Sequence, residues 1–105
     1  MVRVPTHRQP THPSIILSEE FLEPMAISQT ELAKAIHVPY KQINDLINHR
    51  EAITPRIALR LAKFFRTSPD FWLNLQMRWE LYCVQQREGE EIEQITPCNP
   101  IAIET

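Results

Sequence analysis

The chain has 105 residues, 43% of them apolar, and a formal net charge of −2. This length is enough for one domain with a single core and too short for two. No apolar run exceeds four residues, so we predict neither a membrane-spanning helix nor a signal peptide. A cytoplasmic location follows by default.

Cysteine and histidine spacing argues against a metal or redox site. Cys83 and Cys98 lie fifteen residues apart without a CxxC pair, which favours free thiols over a zinc site or a structural disulfide. His7 and His12 have no companions at ligand spacing. There is also no glycine-rich phosphate loop and no HExxH motif. We therefore predict no metal, no cofactor and no enzymatic activity.

Charge is divided unevenly along the chain. Residues 1–66 contain nine Lys/Arg and six Asp/Glu, whereas residues 67–105 contain two and seven. Asymmetry of this kind is more informative than the total, because the basic part can face nucleic acid while the whole chain stays acidic. The acidic run 88–93 suits either a basic partner surface or a solvated tail that repels non-specific DNA.

Capping residues and prolines divide the chain into five predicted helices, since only one glycine is available to end them. Ser28, Thr54 and Ser68 each precede a helical pattern and can accept a hydrogen bond from an unpaired backbone N–H. Pro55 and Pro69 then occupy first helical positions, where proline is tolerated. The predicted helices lie near residues 13–23, 28–36, 39–48, 54–65 and 69–88.

The two ends of the chain are predicted to lie outside the helical domain. Residues 1–11 contain two prolines and suggest a flexible arm. Residues 12–88 form the predicted domain. Residues 89–105, again with two prolines, suggest an extended acidic tail.

The segment 29–48, QTELAKAIHVPYKQINDLIN, predicts a helix-turn-helix. Its apolar or small positions are Leu32, Ala33, Ile36, Val38, Ile43, Leu46 and Ile47. The first three form one face of a short helix, Val38 lies in the turn, and the remainder form the inner face of a second helix. Two such helices meeting across a turn of three or four residues are the DNA-reading unit. A tight helical hairpin without DNA binding buries similar positions.

The fifth predicted helix is apolar on two sides. One side contains Phe71, Trp72, Leu75, Trp79 and Tyr82, and the other contains Leu73, Met77, Leu81 and Val84. A domain of this size has one core, which can bury one apolar face of this helix. The second apolar face therefore needs a partner to cover it. We predict that the second set forms a two-fold dimer interface. The alternative is that the tail folds back over it.

The sequence over residues 12–81 resembles the HigA-type antitoxins, also labelled VapI, within the lambda-repressor-like or XRE family. The most specific matching pieces are EEFLEP at 19–24, ALRLAKFF at 58–65 and FWLNLQ at 71–76. The resemblance implies an all-α five-helix DNA-binding domain that dimerises and represses its own operon. It also implies neutralisation of a HigB-type toxin, an mRNA-cleaving nuclease of the RelE superfamily.

The chain departs from the family where members commonly have glycine. The positions concerned are Ser14, Ala26, His37, His49 and Arg66. Several of them end a helix, where a left-handed backbone is usual. A non-glycine residue costs about 1 kcal/mol there. Either these turns differ, or the chain carries the strain.

The polar face of the predicted recognition helix, 39–48, supplies the candidate base contacts: Tyr40, Lys41, Gln42, Asn44 and Asp45. An asparagine can pair bidentately with adenine, and a lysine can reach guanine acceptors or a phosphate. Asp45 could accept from cytosine or deter wrong sites. Candidate phosphate contacts are Gln29, Thr30, Asn48, His49, Arg50 and Arg56. A purely structural C-cap role for Asn48 remains an equal alternative.

The sequence thus predicts a dimeric antitoxin that reads a palindromic operator in double-stranded DNA and binds a toxin of the RelE superfamily. A regulator of the same family without a toxin is the first alternative. A protein-interaction module that has lost DNA binding is the second. No membrane partner is expected.

Overall fold

Five helices account for the architecture of residues 9–98, the part of the chain that this computed structural model describes. Helix α1 is α-helical over Pro13–Ile16 and continues as a π-helix over Leu17–Leu22. The others are α2 (Gln29–Ala35), α3 (Tyr40–Ile47), α4 (Pro55–Phe65) and α5 (Pro69–Glu93). The prediction of an all-α fold with five helices is confirmed. None of these helices is long and apolar enough to cross a membrane.

The predicted caps begin three of the helices. At α2, the Ser28 hydroxyl accepts from the Glu31 N–H at 3.0 Å, while the Glu31 carboxylate accepts from the Ser28 N–H at 2.8 Å. This reciprocal pair satisfies two backbone donors that the helix itself leaves unpaired. The Thr54 and Ser68 hydroxyls accept from the Ile57 and Phe71 N–H groups and so cap α4 and α5 without the reciprocal bond, each followed by its proline.

Left-handed residues end the first four helices. Ala26, His37, His49 and Arg66 have φ between 55° and 64°, so four of the five departures from glycine carry the strained backbone. In each case the next residue donates its N–H to the carbonyl five positions back, for example Val38 to Ala33 at 3.0 Å. This bond is the signature of the Schellman motif. Ser14 is different, because it lies inside α1.

The core is centred on Trp72, which is fully buried although it is the largest side chain of the chain. Its ring packs 4.9 Å from the Phe21 ring, and its Nε1 donates to the Thr67 hydroxyl at 2.7 Å. Around it lie the buried residues Leu17, Leu32, Ile43, Leu46, Ile57 and Leu61, contributed by helices α1 to α4. Three of them, Leu32, Ile43 and Leu46, are inner positions predicted for the helix-turn-helix.

Helix α5 differs from its prediction in two respects. It runs to Glu93, so residues 89–93 are helical rather than extended, and only 94–98 follow as non-helical chain. Leu73 and Val84, both predicted on the outer face, are half-buried: Leu73 packs against the core, and Val84 lines a surface groove with His12 and His49. The outer apolar face within the described residues is therefore carried by Met77 and Leu81, which are 57% and 46% exposed, and then by Ile92. Residues 1–8 and 99–105, which contain most of the predicted arm and the end of the tail, lie outside the described range.

Candidate nucleic-acid interface

The hydrophobic core fixes the orientation of α3, the predicted recognition helix. Ile43 and Leu46 are buried on its inner side, against Val38 of the preceding turn and the apolar face of α2. The opposite side then faces solvent, with Tyr40 50% exposed and Lys41 also exposed. The arrangement is the helix-turn-helix that the sequence predicted, with the second helix presented outward.

Asn44 is the centre of a polar network that connects α3 to the start of α2. Its Nδ2 donates to the Gln29 side-chain oxygen at 3.1 Å and lies 3.3 Å from the Tyr40 hydroxyl. The structure therefore brings together three residues that the sequence assigned separately to base and phosphate contacts. Since both amide hydrogens are used inside the protein and the side-chain oxygen accepts from Asn48 Nδ2 at 3.2 Å, the Asn44 side chain is held in one orientation.

Helix α4 supports the same surface from the other side. Arg56, in its first turn, donates to the side-chain oxygen of Gln42 on α3 at 3.2 Å. Arg60 donates to the carbonyls of Ile36 and His37, at 2.8 and 3.4 Å, and so ties α4 to the turn between α2 and α3. The sequence did not identify this role of Arg60, because the contact joins residues 24 positions apart.

Asp45 requires a correction. Helical arithmetic pointed it outward to bases, but its side chain is only 12% exposed and is bound by two cations. Lys41 Nζ lies 2.7 Å from one carboxylate oxygen, and Arg50 lies 3.3 Å from the other. The hydrogen bond from Lys41 is the main cause that holds the pKa of Asp45 below its usual value. In this structure Asp45 holds Lys41 and Arg50, and its contact with a base stays a prediction.

The remaining predicted phosphate contacts lie at the edges of the surface. Asn48 is the C-cap of α3, and its Nδ2 donates to the Asn44 carbonyl at 2.8 Å, so the structural role left open for it is observed. Thr30 is exposed in the first turn of α2. His49 is exposed and follows α3 directly.

A second histidine stacks under His49. The rings of His12 and His49 are 3.8 Å apart and nearly parallel, and Trp79 of α5 meets His12 edge-on at 4.8 Å. His12 is buried, and its Nδ1 caps α1 by accepting from the Ser14 N–H at 3.1 Å. Burial, and next the charge of His49, lower the pKa of His12 below its usual value.

Acidification should therefore destabilise the protein through His12. The folded state disfavours the charged ring because of its burial and the neighbouring His49, whereas the unfolded chain binds the proton near pH 6.5. We expect His12 to contribute full stability above that pH and to lose it progressively below. His12→Asn, which can still cap, should flatten this part of the profile in urea unfolding experiments between roughly pH 5 and 8. A difference between the two proteins that does not vary with pH would contradict this explanation.

Fold and surface together define a helix-turn-helix DNA-binding protein. Residues 19–72 match the helix-turn-helix family. A relative described as the HTH-type transcriptional regulator YbaQ of Escherichia coli K12 is 43% identical over 84% of this chain and 80% of its own length. The antitoxin HigA-1 of Vibrio cholerae is 36% identical over 88% and 87%. The structure of Pseudomonas aeruginosa antitoxin HigA with the higBA promoter superposes with a TM-score of 0.82, at 36% identity, over 87% of this chain and all of that one.

The chain belongs to the HigA-type antitoxins within the XRE-type helix-turn-helix family. The resemblance of residues 12–81 is thus confirmed across the domain. Members of this family are DNA-binding regulators rather than an enzyme class. Among residues 9–98 no group of three or more His, Cys, Asp and Glu side chains could hold a metal ion.

Proposed function

We propose that this chain is the antitoxin of a type II toxin–antitoxin pair, which binds a palindromic operator as a dimer and represses its own operon. The main supporting observation is the hydrogen-bonded network that Asn44 and Tyr40, on the outward-facing recognition helix, form with Gln29 of α2. A similar protein, the Pseudomonas aeruginosa antitoxin HigA, has a structure with the higBA promoter. That structure superposes on this chain with a TM-score of 0.82. The proposed ligand is therefore double-stranded operator DNA.

The base-reading residues in this proposal are Tyr40, Lys41, Gln42 and Asn44. The Asn44 oxygen and amide suit the paired donor and acceptor of adenine in the major groove, once the amide hydrogen on the Tyr40 hydroxyl and the oxygen that accepts from Asn48 Nδ2 turn to the base. Lys41, whose side chain is 84% exposed, suits a guanine edge or a phosphate. Phosphates are held from the sides by Gln29 and Thr30 on α2, by His49 and Arg50 after α3, and by Arg56 on α4.

A homodimer through α5 is part of the same proposal. Met77 and Leu81 lie one helical turn apart and expose apolar surface that nothing in the described part of the chain covers. A second copy of the same face is the simplest partner, since a two-fold axis brings two identical apolar surfaces together. Two recognition helices would then read half-sites about 34–36 Å apart.

The toxin partner is proposed as a HigB-type nuclease of the RelE superfamily. The support is family membership together with the acidic end of α5, which carries Glu88, Glu90, Glu91 and Glu93 on an exposed part of the helix. RNA-cleaving proteins are generally basic, so this segment offers complementary charge. A stand-alone regulator without a toxin is the alternative, favoured by relatives that are described only as transcriptional regulators. Co-expression with the product of a short neighbouring gene, followed by co-purification, separates the two.

Operator binding has its own test. Asn44→Ala should reduce the preference for the DNA upstream of its gene over a shuffled duplex by about 10-fold or more, because a bidentate base contact contributes about 1–3 kcal/mol of discrimination. Arg50→Gln should instead weaken binding to both duplexes and make log affinity less steep in log salt by about one unit. Fluorescence anisotropy at several salt concentrations measures both quantities. The opposite pattern in the two variants would overturn the division into base and phosphate contacts.

A further inference from the structure

One buried carboxylate controls two exposed cations of the proposed DNA surface. Each oxygen of Asp45 is used, one by Lys41 at 2.7 Å and the other by Arg50 at 3.3 Å. The two cations come from opposite ends of the recognition segment and are 84% and 67% exposed, whereas the carboxylate is 12% exposed. The backbone carbonyl of Asp45 also accepts from the Arg50 N–H at 2.8 Å. The charged groups of Lys41 and Arg50 are therefore both held by the less exposed Asp45 carboxylate.

Anchoring limits the positions on DNA that each cation can reach while it stays bound to Asp45. An ammonium group has three donors, of which Asp45 takes one, and a guanidinium group has five. The remaining donors can reach a base edge or a phosphate without breaking the pair with Asp45. Acceptors in any other position require the cation to leave the carboxylate first, which costs the energy of a charge-assisted hydrogen bond.

We propose that Asp45 is a positioning residue that aims Lys41 and Arg50 at the operator and weakens binding to DNA of other sequence. The inference rests on the proposed operator binding and adds a determinant of specificity to it. Non-specific affinity comes mainly from cations that are free to neutralise phosphates wherever these lie. A carboxylate that holds two such cations lowers this affinity for every sequence. The operator is affected least, because its acceptors meet the cations where Asp45 holds them.

The test is Asp45→Asn, which keeps the side-chain shape and removes the charge. We expect affinity for a shuffled duplex to rise about three- to tenfold near 0.1 M salt, and log affinity to become steeper in log salt by about one unit. The ratio of operator to shuffled affinity should fall by a similar factor, about three- to tenfold. A purely structural role would instead lower the melting temperature and weaken binding to both duplexes, so thermal unfolding is measured in parallel.

Glu51→Gln is the matched control. It removes the same charge one residue beyond Arg50, from an exposed side chain for which no ion pair is observed in residues 9–98. We expect it to leave the affinity ratio unchanged. An equal effect of both variants would reduce the role of Asp45 to net charge, and an unchanged ratio in Asp45→Asn would overturn the inference. If the wild-type chain itself shows no preference for its upstream DNA, it is the proposed function that fails.

Discussion

Replacing both Met77 and Leu81 with glutamate should convert the proposed dimer to a monomer and weaken operator binding by at least about a hundredfold, because linked binding of two half-sites contributes about 10²–10⁴ in affinity. Both side chains are about half exposed in the single copy, so glutamates stay hydrated there and the fold should persist. In the dimer they would bring four carboxylates into an apolar contact, where unpaired charge is strongly unfavourable. Sedimentation velocity at micromolar concentration and anisotropy with operator DNA measure the two effects.

Leu59→Glu provides the control for this pair of substitutions. Leu59 is 60% exposed on α4, so the change in chemistry is the same on a different helix. We expect the Leu59 variant to remain dimeric in sedimentation velocity; it controls for that measurement alone, because Leu59 lines the same surface groove as Arg56, a proposed phosphate contact. A wild-type chain that sediments as a monomer, or a double variant that remains a dimer, would show that α5 is not the interface.

Local signals made the helices predictable, because each cap works within four residues of chain. Ser28, Thr54 and Ser68 accept the hydrogen bonds expected of them, and the helices begin one residue later. The end of α5 was not predictable in the same way. The predicted helix ended at residue 88, before Gly89, and glycine costs about 1 kcal/mol in a helix interior. The helix nevertheless continues to Glu93.

Side-chain contacts between elements that are distant along the chain could not be predicted from the sequence. Helical arithmetic gives the relative directions of residues on α3, but not how deep the helix lies, and so Asp45 was pointed outward although it is buried. Gln76 is a second example. It lay in a strip predicted to be polar, yet it is buried and its side-chain oxygen accepts from the Ile53 N–H at 2.9 Å, which joins α5 to the segment before α4. Such bonds depend on the packing of helices, which no local pattern encodes.

Replacing Ala26, His37 and Arg66 with glycine should stabilise the protein by about 2–3 kcal/mol in total, because each relieves about 1 kcal/mol of left-handed strain. The three residues end different helices, so their effects should add. For a domain of this size the gain corresponds to a rise in melting temperature of about 10 °C or more. His49 is kept, although it has the same backbone, because its ring stacks on His12.

Lys63→Gly is the matched control for the glycine variants. Lys63 is exposed on α4 and has ordinary helical geometry, so glycine there should lower stability by about 1 kcal/mol. The sign of the effect thus depends on φ alone, because all four positions are at the surface. The melting temperature of the His37→Gly variant is compared on its own. The His37 carbonyl accepts from Arg60, and a more flexible turn would loosen that contact. An unchanged or lower melting temperature for the Ala26 and Arg66 substitutions would mean that these turns relieve their strain by another route.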